Sequence, residues 1–189
     1  RNTQILQVCC DWFAKEDFER IAYRHVVDKI RSKPTNKTME TLAPLIGQWK
    51  IREAGSFLLT ALIELPSGNI MAFGLSSSSN SGNKTSISYG SIDVWCLKLN
   101  SNGSILNDWS IGGADIDTRP IVVQSGPNHL KLVCESLSNI SGLKTENCFG
   151  STDLWVLDLD TNCTIQQQKT IGGSDIDGVS DILLNNNGD

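Results

Sequence analysis

Along Asp93–Asn100, Trp95, Leu97 and Leu99 fall on one side of an extended chain, and Val94, Cys96 and Lys98 on the other. Asp153–Asp160 repeats the alternation with Trp155, Leu157 and Leu159. Period-2 patterning with aromatic and aliphatic residues predicts a strand in each segment. Val94, Cys96 and Val156 make the second face apolar in part, as in a sheet packed on both sides. Each strand runs into a turn, Asn100-Ser101-Asn102-Gly103 or Asp160-Thr161-Asn162-Cys163. Asn and Gly adopt positive φ readily, so these read as hairpins. A second strand follows, over Ser104–Ile111 and Thr164–Ile171. It ends at Gly112-Gly113 or Gly172-Gly173, followed by Asp115-Ile116-Asp117 or Asp175-Ile176-Asp177.

The two passages are copies 60 residues apart. Residues 89–117 and 149–177 align without a gap, with 14 of 29 positions identical. The period extends outward. Trp49 and Ile51 precede Trp109 and Ile111 by 60. Thr60–Ile63, a turn at Pro66-Ser67-Gly68-Asn69 and Ile70–Phe73 read as strand, turn, strand. Ile121–Val123 and Leu130–Val133 repeat that pattern, and Asp181–Leu184 begins it again before the chain stops at Asp189. The predicted unit is strand, hairpin, strand, longer loop, Trp strand, hairpin, strand, Gly-Gly turn.

Four short antiparallel strands per unit are the content of a propeller blade. A β-solenoid usually has a shorter period, and a two-sheet sandwich rarely repeats its own sequence. The expected fold is therefore mainly β, a partial β-propeller of about two and a half blades over residues 45–189. Propellers have at least four blades, so a piece of a longer repeat protein is expected, with open blade faces that favour self-association.

Residues 1–44 depart from this pattern. In 11–32, Trp12, Phe18, Ile21, Ala22, His25, Val26 and Ile30 recur at helical spacing, which predicts an amphipathic helix capped by Asp11 and stopped before Pro34. On that face His25 reads as a packed residue rather than a ligand. Ser32–Thr41 joins the helix to the repeats.

The motif of Gly-Ser/Thr-Asp-x-Trp-x-Leu-x-Leu, an Asn-Gly-like turn, a short strand and Gly-Gly-x-Asp resembles the propeller-type repeats of large secreted and surface bacterial proteins. Many of those carry a type IX sorting domain. The resemblance covers about residues 45–189. It implies export, a β-propeller and an adhesive or binding role, and it supplies no catalytic residues. The first copy departs from it, with Glu53-Ala54-Gly55 where Gly-Gly-x-Asp is expected.

Composition narrows the function further. The net charge is −5 with no basic cluster, which argues against nucleic acid. No apolar run approaches the ~18–20 residues of a membrane-spanning helix. The six cysteines (Cys9, Cys10, Cys96, Cys134, Cys148, Cys163) show no CxxC spacing, which argues against zinc. Cys9-Cys10 reads as an ordinary thiol pair, since a bridge between neighbours is strained. Cys134 and Cys148 replace Gly74 and Ser88 at the two ends of a long loop; a pair of free thiols is the stronger reading, and a disulfide clamping 135–147 is the alternative that the export implied by the resemblance admits. Asn-x-Ser/Thr sequons at Asn36, Asn83, Asn102, Asn139 and Asn162 admit glycosylation, although Asn102 and Asn162 already have a turn role.

Candidate chemistry is sparse. Asp115, Asp117, Asp175 and Asp177 could ligate Ca²⁺, and Asp158, Asp160 and Asn162 form a second oxygen cluster. The stronger reading is that these side chains accept hydrogen bonds from turn amides, because Lys98, Asn100 and Asn102 occupy the second cluster's places in the other copy. Asp93 and Asp153 read likewise. Trp95 and Trp155 could stack on sugars, but alternation with Leu makes them core. Ser81-Gly-Asn-Lys84 and Ser141-Gly-Leu-Lys144 match Ser-x-x-Lys within Ser/Gly-rich loops, where the match is weak; no Gly-x-Ser-x-Gly or His-Glu-x-x-His occurs. Loops 75–88 and 135–147 are long, polar and different between copies, so they are the expected contact surface for a glycan or protein, with Ser76–Ser79 expected to be solvated.

The expectation is a secreted or cell-surface binding or adhesion scaffold, non-catalytic and without a cofactor. A pure spacer shares all these features. The alternative class is a propeller enzyme acting on carbohydrate, its site drawn from several blades. That alternative needs polar inner strands, and Thr60–Ile63 and Ile121–Val123 are almost wholly apolar.

Overall fold

The computed structural model describes residues 58–185. The helix expected over 11–32, His25, Cys9, Cys10, Asn36, Trp49, Ile51 and Glu53–Gly55 lie outside the described residues, as does the turn at 187–189.

The described chain forms eight strands: β1 (Leu58–Glu64), β2 (Ile70–Ser76), β3 (Asp93–Leu99), β4 (Ile105–Ile111), β5 (Asp117–Gly126), β6 (His129–Ser136), β7 (Asp153–Asp160) and β8 (Ile165–Ile171). They make two four-stranded sheets in sequence order, β1-β2-β3-β4 and β5-β6-β7-β8. All neighbours are antiparallel. Each sheet is one unit of the 60-residue period. The copies share several irregularities, although the shift between Gln124 and Gly126 occurs in the second sheet alone. The register shifts between Lys98 and Leu99 and again between Asp158 and Leu159. Isolated bridges Ser81↔Lys84 and Ile92↔Ile116 recur as Ser141↔Lys144 and Thr152↔Ile176. The main departure from the expected strands is β5, which begins at Asp117, directly after the Gly-Gly turn, rather than at Ile121.

The hairpin turns form as their residues dictate. Gly103 N–H donates to Asn100 O at 2.9 Å, and Asn100 Oδ1 accepts from Asn102 and Ser104 N–H. Cys163, Asp160, Asn162 and Thr164 repeat all three bonds. Gly103 has φ 83°, and Cys163 takes the same left-handed position at φ 55°. L-residues other than Asn, Asp and His rarely adopt it.

The two sheets pack with unlike faces together. One buried cluster joins Met71, Phe73, Val94, Cys96 and Ile111 of the first sheet to Leu130, Leu132, Cys134, Trp155, Leu157 and Leu159 of the second. Trp155 and its partners occupy the face whose counterpart in the first sheet is Ile70, Ala72, Trp95, Leu97 and Leu99, a separate cluster on the opposite side. The tryptophan face of one unit therefore covers the non-tryptophan face of the unit before it. Ile111, beneath this contact, is 0% exposed, whereas Ile171, its counterpart in the second sheet, is 52% exposed. Burying an aliphatic side chain of this size stabilises by about 1.5–3 kcal/mol. Among the described residues no helix is long and apolar enough to cross a membrane.

Candidate binding cleft between the two sheets

The long loops are built structures. In each, a tight turn with Gly82 or Gly142 at positive φ folds the lysine back across the sheet end. Lys84 and Lys144 are 3% and 2% exposed. Their ammonium groups sit 6.0 and 5.9 Å from the ring centres of Trp95 and Trp155. Lys84 Nζ donates to Ser86 O at 2.8 Å and also to Ser110 Oγ. Burial lowers its pKa, with Asp108 and Asp93 acting in the other direction. Lys144 Nζ donates to Ser136 Oγ and Cys148 Sγ. A buried ammonium over an aromatic face, with hydroxyl and carbonyl acceptors, is a packing device. The Ser-x-x-Lys match is not a nucleophile–base pair. Ser141 Oγ accepts from Ala114 N–H and donates to Asn139 O, while the Lys144 amine lies against other partners. The expectation of solvation at Ser76–Ser79 fails at Ser76, which is buried at the end of β2; Ser77 and Ser79 are exposed.

Asp108 is the hub of the first loop. Its carboxylate accepts from Thr85 N–H and hydroxyl, from Ser86 N–H and hydroxyl, and from Trp95 Nε1–H at 2.8 Å. These donors outweigh the burial of the group and hold its pKa down at about 2. Gln168 stands at the same place in the second copy. Its Oε1 accepts from Trp155 Nε1–H and Thr145 N–H, and its Nε2 donates to Leu143 O. The sequence does not advertise this pair, because an aspartate and a glutamine doing one job do not look alike.

The repeated aspartates divide by position. Asp117 Oδ2 accepts from Gly113 N–H at 2.7 Å and from Ser138 Oγ–H. Asp177 Oδ2 accepts from Gly173 N–H at 2.6 Å. Asp115 and Asp175 are exposed, and their backbone carbonyls accept from Ser91 and from Ser151 and Thr152 N–H. Burial raises the Asp117 pKa. In the second oxygen cluster, Asp158 pairs with Lys131 at 2.8 Å, Asp160 accepts turn amides, and Asn162 Oδ1 accepts from Lys98. Among the described residues no three His, Cys, Asp or Glu side chains are grouped to hold a metal ion. Asp93 and Asp153 accept from Tyr89 and Phe149 N–H, as strand-start capping residues. Trp95 and Trp155 are core, 8% and 0% exposed.

Gly112 and Gly113 receive the next unit's loop. Leu143 N–H donates to Gly112 O at 3.0 Å. Ala114 and Asp115 N–H donate to Ser141 and Ser138 Oγ. A Cβ on Gly113 would stand 2.5 Å from Ser138 Cβ. Gly173, in the last described copy, would meet nothing closer than Asp177 Oδ2 at 3.7 Å.

Cys134 and Cys148 are both free thiols, so the structure does not join the loop ends by a disulfide. Cys134 lies in the core on the Trp155 face, while Cys148 Sγ donates toward Ser136 O and Ser138 O. Asn83, Asn102, Asn139 and Asn162 are exposed.

Between the sheets, where loop 75–88 meets β8, a cleft of about 710 Å³ opens to solvent. Tyr89, Trp109, Leu143, Gln166, Gln167 and Asp108 contribute to its wall. Ser86 and Ile87 reach it from the first long loop and Leu143 from the second, so the two expected contact loops are brought together. Aromatic and amide side chains lining one cleft can take a ligand with an apolar face and hydroxyl edges. No protein-family model matches the chain, and no curated protein matches it.

Proposed function

We propose that this chain is a run of propeller blades from an exported repeat protein of the bacterial surface type, and that it works as a non-catalytic binding scaffold. The unit-on-unit packing supports the architecture. Unlike faces meet, so each unit can receive another of the same kind, and a repeated rotation of this sort closes into a ring or extends into an array. The sequence repeat, with its Asn-Gly-like turns and Gly-Gly-x-Asp motif, supports the propeller over other β arrays.

The cleft supports the binding role, and one observation carries it. Most residues that line the cleft stand at positions where the copies differ, Asn162 and Ile165 being shared with Asn102 and Ile105. Trp109 corresponds to Lys169, Ile87 to Asn147 and Gln166 to Leu106. A scaffold with variable side chains at its unit junctions is the arrangement expected of a binding protein. The ligand favoured by this chemistry is a glycan, its ring face on Trp109 and Tyr89 and its hydroxyls toward the Gln166 and Gln167 amides. Asp108 is a poor acid–base catalyst, since both carboxylate oxygens already accept several hydrogen bonds.

Titration of the protein with a panel of neutral and acidic oligosaccharides, read by tryptophan fluorescence and calorimetry, tests this reading. At least one is expected to bind, and Trp109→Ala is expected to weaken that binding about tenfold, the loss of a stacking contact of roughly 1.4 kcal/mol. Failure of every glycan to bind, or equal binding by the variant, would overturn the assignment of the cleft.

A further inference from the structure

We infer that Cys96 and Cys163 form a disulfide that staples one repeat unit to the next. Cys96 lies in β3 of the first sheet and Cys163 in the β7–β8 turn of the second, 67 residues on. Both are thiols in the structure, with their sulfurs 2.8 Å apart. Even carbon atoms rest at about 3.5–4.0 Å, and sulfur is larger. The two side chains are therefore aimed at one another without room to remain comfortably unbonded, while a disulfide would relieve the contact.

Two further observations point the same way. Each cysteine is a departure from the other copy, where Val156 and Gly103 stand at the matching positions. The two departures meet in space, although the positions are unrelated within the repeat. In addition, Cys163 holds the left-handed turn conformation that Gly103 fills in the other copy. A β-carbon there is a strain, and the position of Cys163 against Cys96 is what the side chain gains. Next to it, Lys98 Nζ donates to Asn162 Oδ1 at 3.1 Å, a second tie across the same junction.

The chemistry is thiol–disulfide exchange with a disulfide donor, either a small-molecule disulfide such as oxidised glutathione or a thiol–disulfide oxidoreductase. Cys163 is 6% exposed at the rim of the cleft, and Cys96 is 0% exposed. The Cys163 thiolate attacks one sulfur of the donor, forming a mixed disulfide and expelling the first donor thiolate. The Cys96 thiolate then attacks the Cys163 sulfur and expels the second. The two cysteine sulfurs are oxidised by two electrons in total, the donor is reduced to two thiols, and those thiols take up the two protons the cysteines lose. Burial pushes the Cys96 thiol well up, and the neighbouring Cys163 adds to the effect. Cys96 is therefore a slow resolving thiol once folding is complete, and the bond closes most readily as the units dock.

The full chain, purified reduced, is incubated in a glutathione redox buffer, acid-quenched, alkylated in denaturant and mapped by mass spectrometry. A linked peptide pair joining Cys96 to Cys163, lighter by two hydrogens than the free peptides, with Cys134 and Cys148 alkylated, is the expected result. Full alkylation of Cys96 and Cys163 in protein that has folded in the oxidising buffer would overturn the inference, as would either cysteine pairing elsewhere. A second measurement uses the double variant Cys96→Val, Cys163→Gly, which installs the residues of the other copy. Reductant is expected to lower the thermal midpoint of the oxidised wild type by roughly 5–15 °C and to leave that of the variant unchanged. An equal response in both proteins would refute the staple. Neither readout depends on a glycan, so the outcome is separate from that of the binding test.

Discussion

Trp155→Ala is expected to lower the unfolding free energy by about 3–5 kcal/mol, the usual cost of deleting a large buried aromatic side chain. Trp155 is 0% exposed and belongs to the cluster that joins the two sheets. Its removal empties the centre of the junction and leaves two polar groups behind it. Gln168 Oε1 loses the indole N–H that lies 3.1 Å away, and the Lys144 ammonium loses the ring beneath it. Gln168 is half-buried and its Oε1 keeps the bond from Thr145 N–H, so the lost indole bond adds only a small part of the cost. Urea unfolding monitored by far-ultraviolet circular dichroism checks the effect. A change below about 1 kcal/mol would mean that the sheets do not meet over this side chain.

The second large effect separates two glycines that the sequence treats as equals. Gly113→Ala is expected to destabilise by about 1–3 kcal/mol through overpacking. Its new methyl group would collide with Ser138, and Ser141 Oγ would also be close, at 2.9 Å. The neighbouring bonds from Ala114 and Asp115 N–H to those serines would have to stretch. Gly173→Ala is expected to change stability by less than about 0.5 kcal/mol, because no loop from a following unit lies against it among the described residues. Gly113 and Gly173 occupy the same place in the repeat, so local conformation alone would give the two substitutions equal cost. Thermal melts of the two single variants side by side distinguish the cases. Equal destabilisation would show that the Gly-Gly turn is a local requirement rather than a docking seat.

Much of this fold was legible in the sequence, for a physical reason. A strand places alternate residues on opposite faces, so Trp95-x-Leu97-x-Leu99 and its copy declare both a strand and a buried face. Turn chemistry at Asn100–Gly103 and Asp160–Cys163 declared the hairpins. The period of 60 then ordered the strands into two like sheets. The propeller itself goes beyond these two sheets and stands as a proposal.

The loops and the cleft were much less legible. Composition marks Ser76–Ser79 and the Ser-Gly-x-Lys turns as solvent-exposed, yet Lys84 and Lys144 are buried over tryptophans some eleven residues further along the chain. No local pattern announces a lysine that packs inward, because its acceptors (Ser86, Ser110, Ser136, Cys148) come from separate strands and loops. The cysteines had a readable signal of another kind. Loop ends drew attention to Cys134 and Cys148, but the two cysteines that touch are those replacing Val156 and Gly103 of the other copy. Comparison between copies, rather than spacing along the chain, marks Cys96 and Cys163.

The head-to-tail docking of one unit on the next is tested most directly by amide hydrogen exchange at Ala114, Asp115 and Leu143. Each of these N–H groups donates across the junction, to Ser141 Oγ, Ser138 Oγ and Gly112 O. All three lie in loops or turns, so nothing within their own sheet protects them as a ladder would. Protection of these amides on the scale of the paired strands β3 and β7 is the predicted result. Exchange at the rate of an unstructured peptide, with β3 and β7 still protected, would mean that each sheet folds without seating on its neighbour and would contradict the docking.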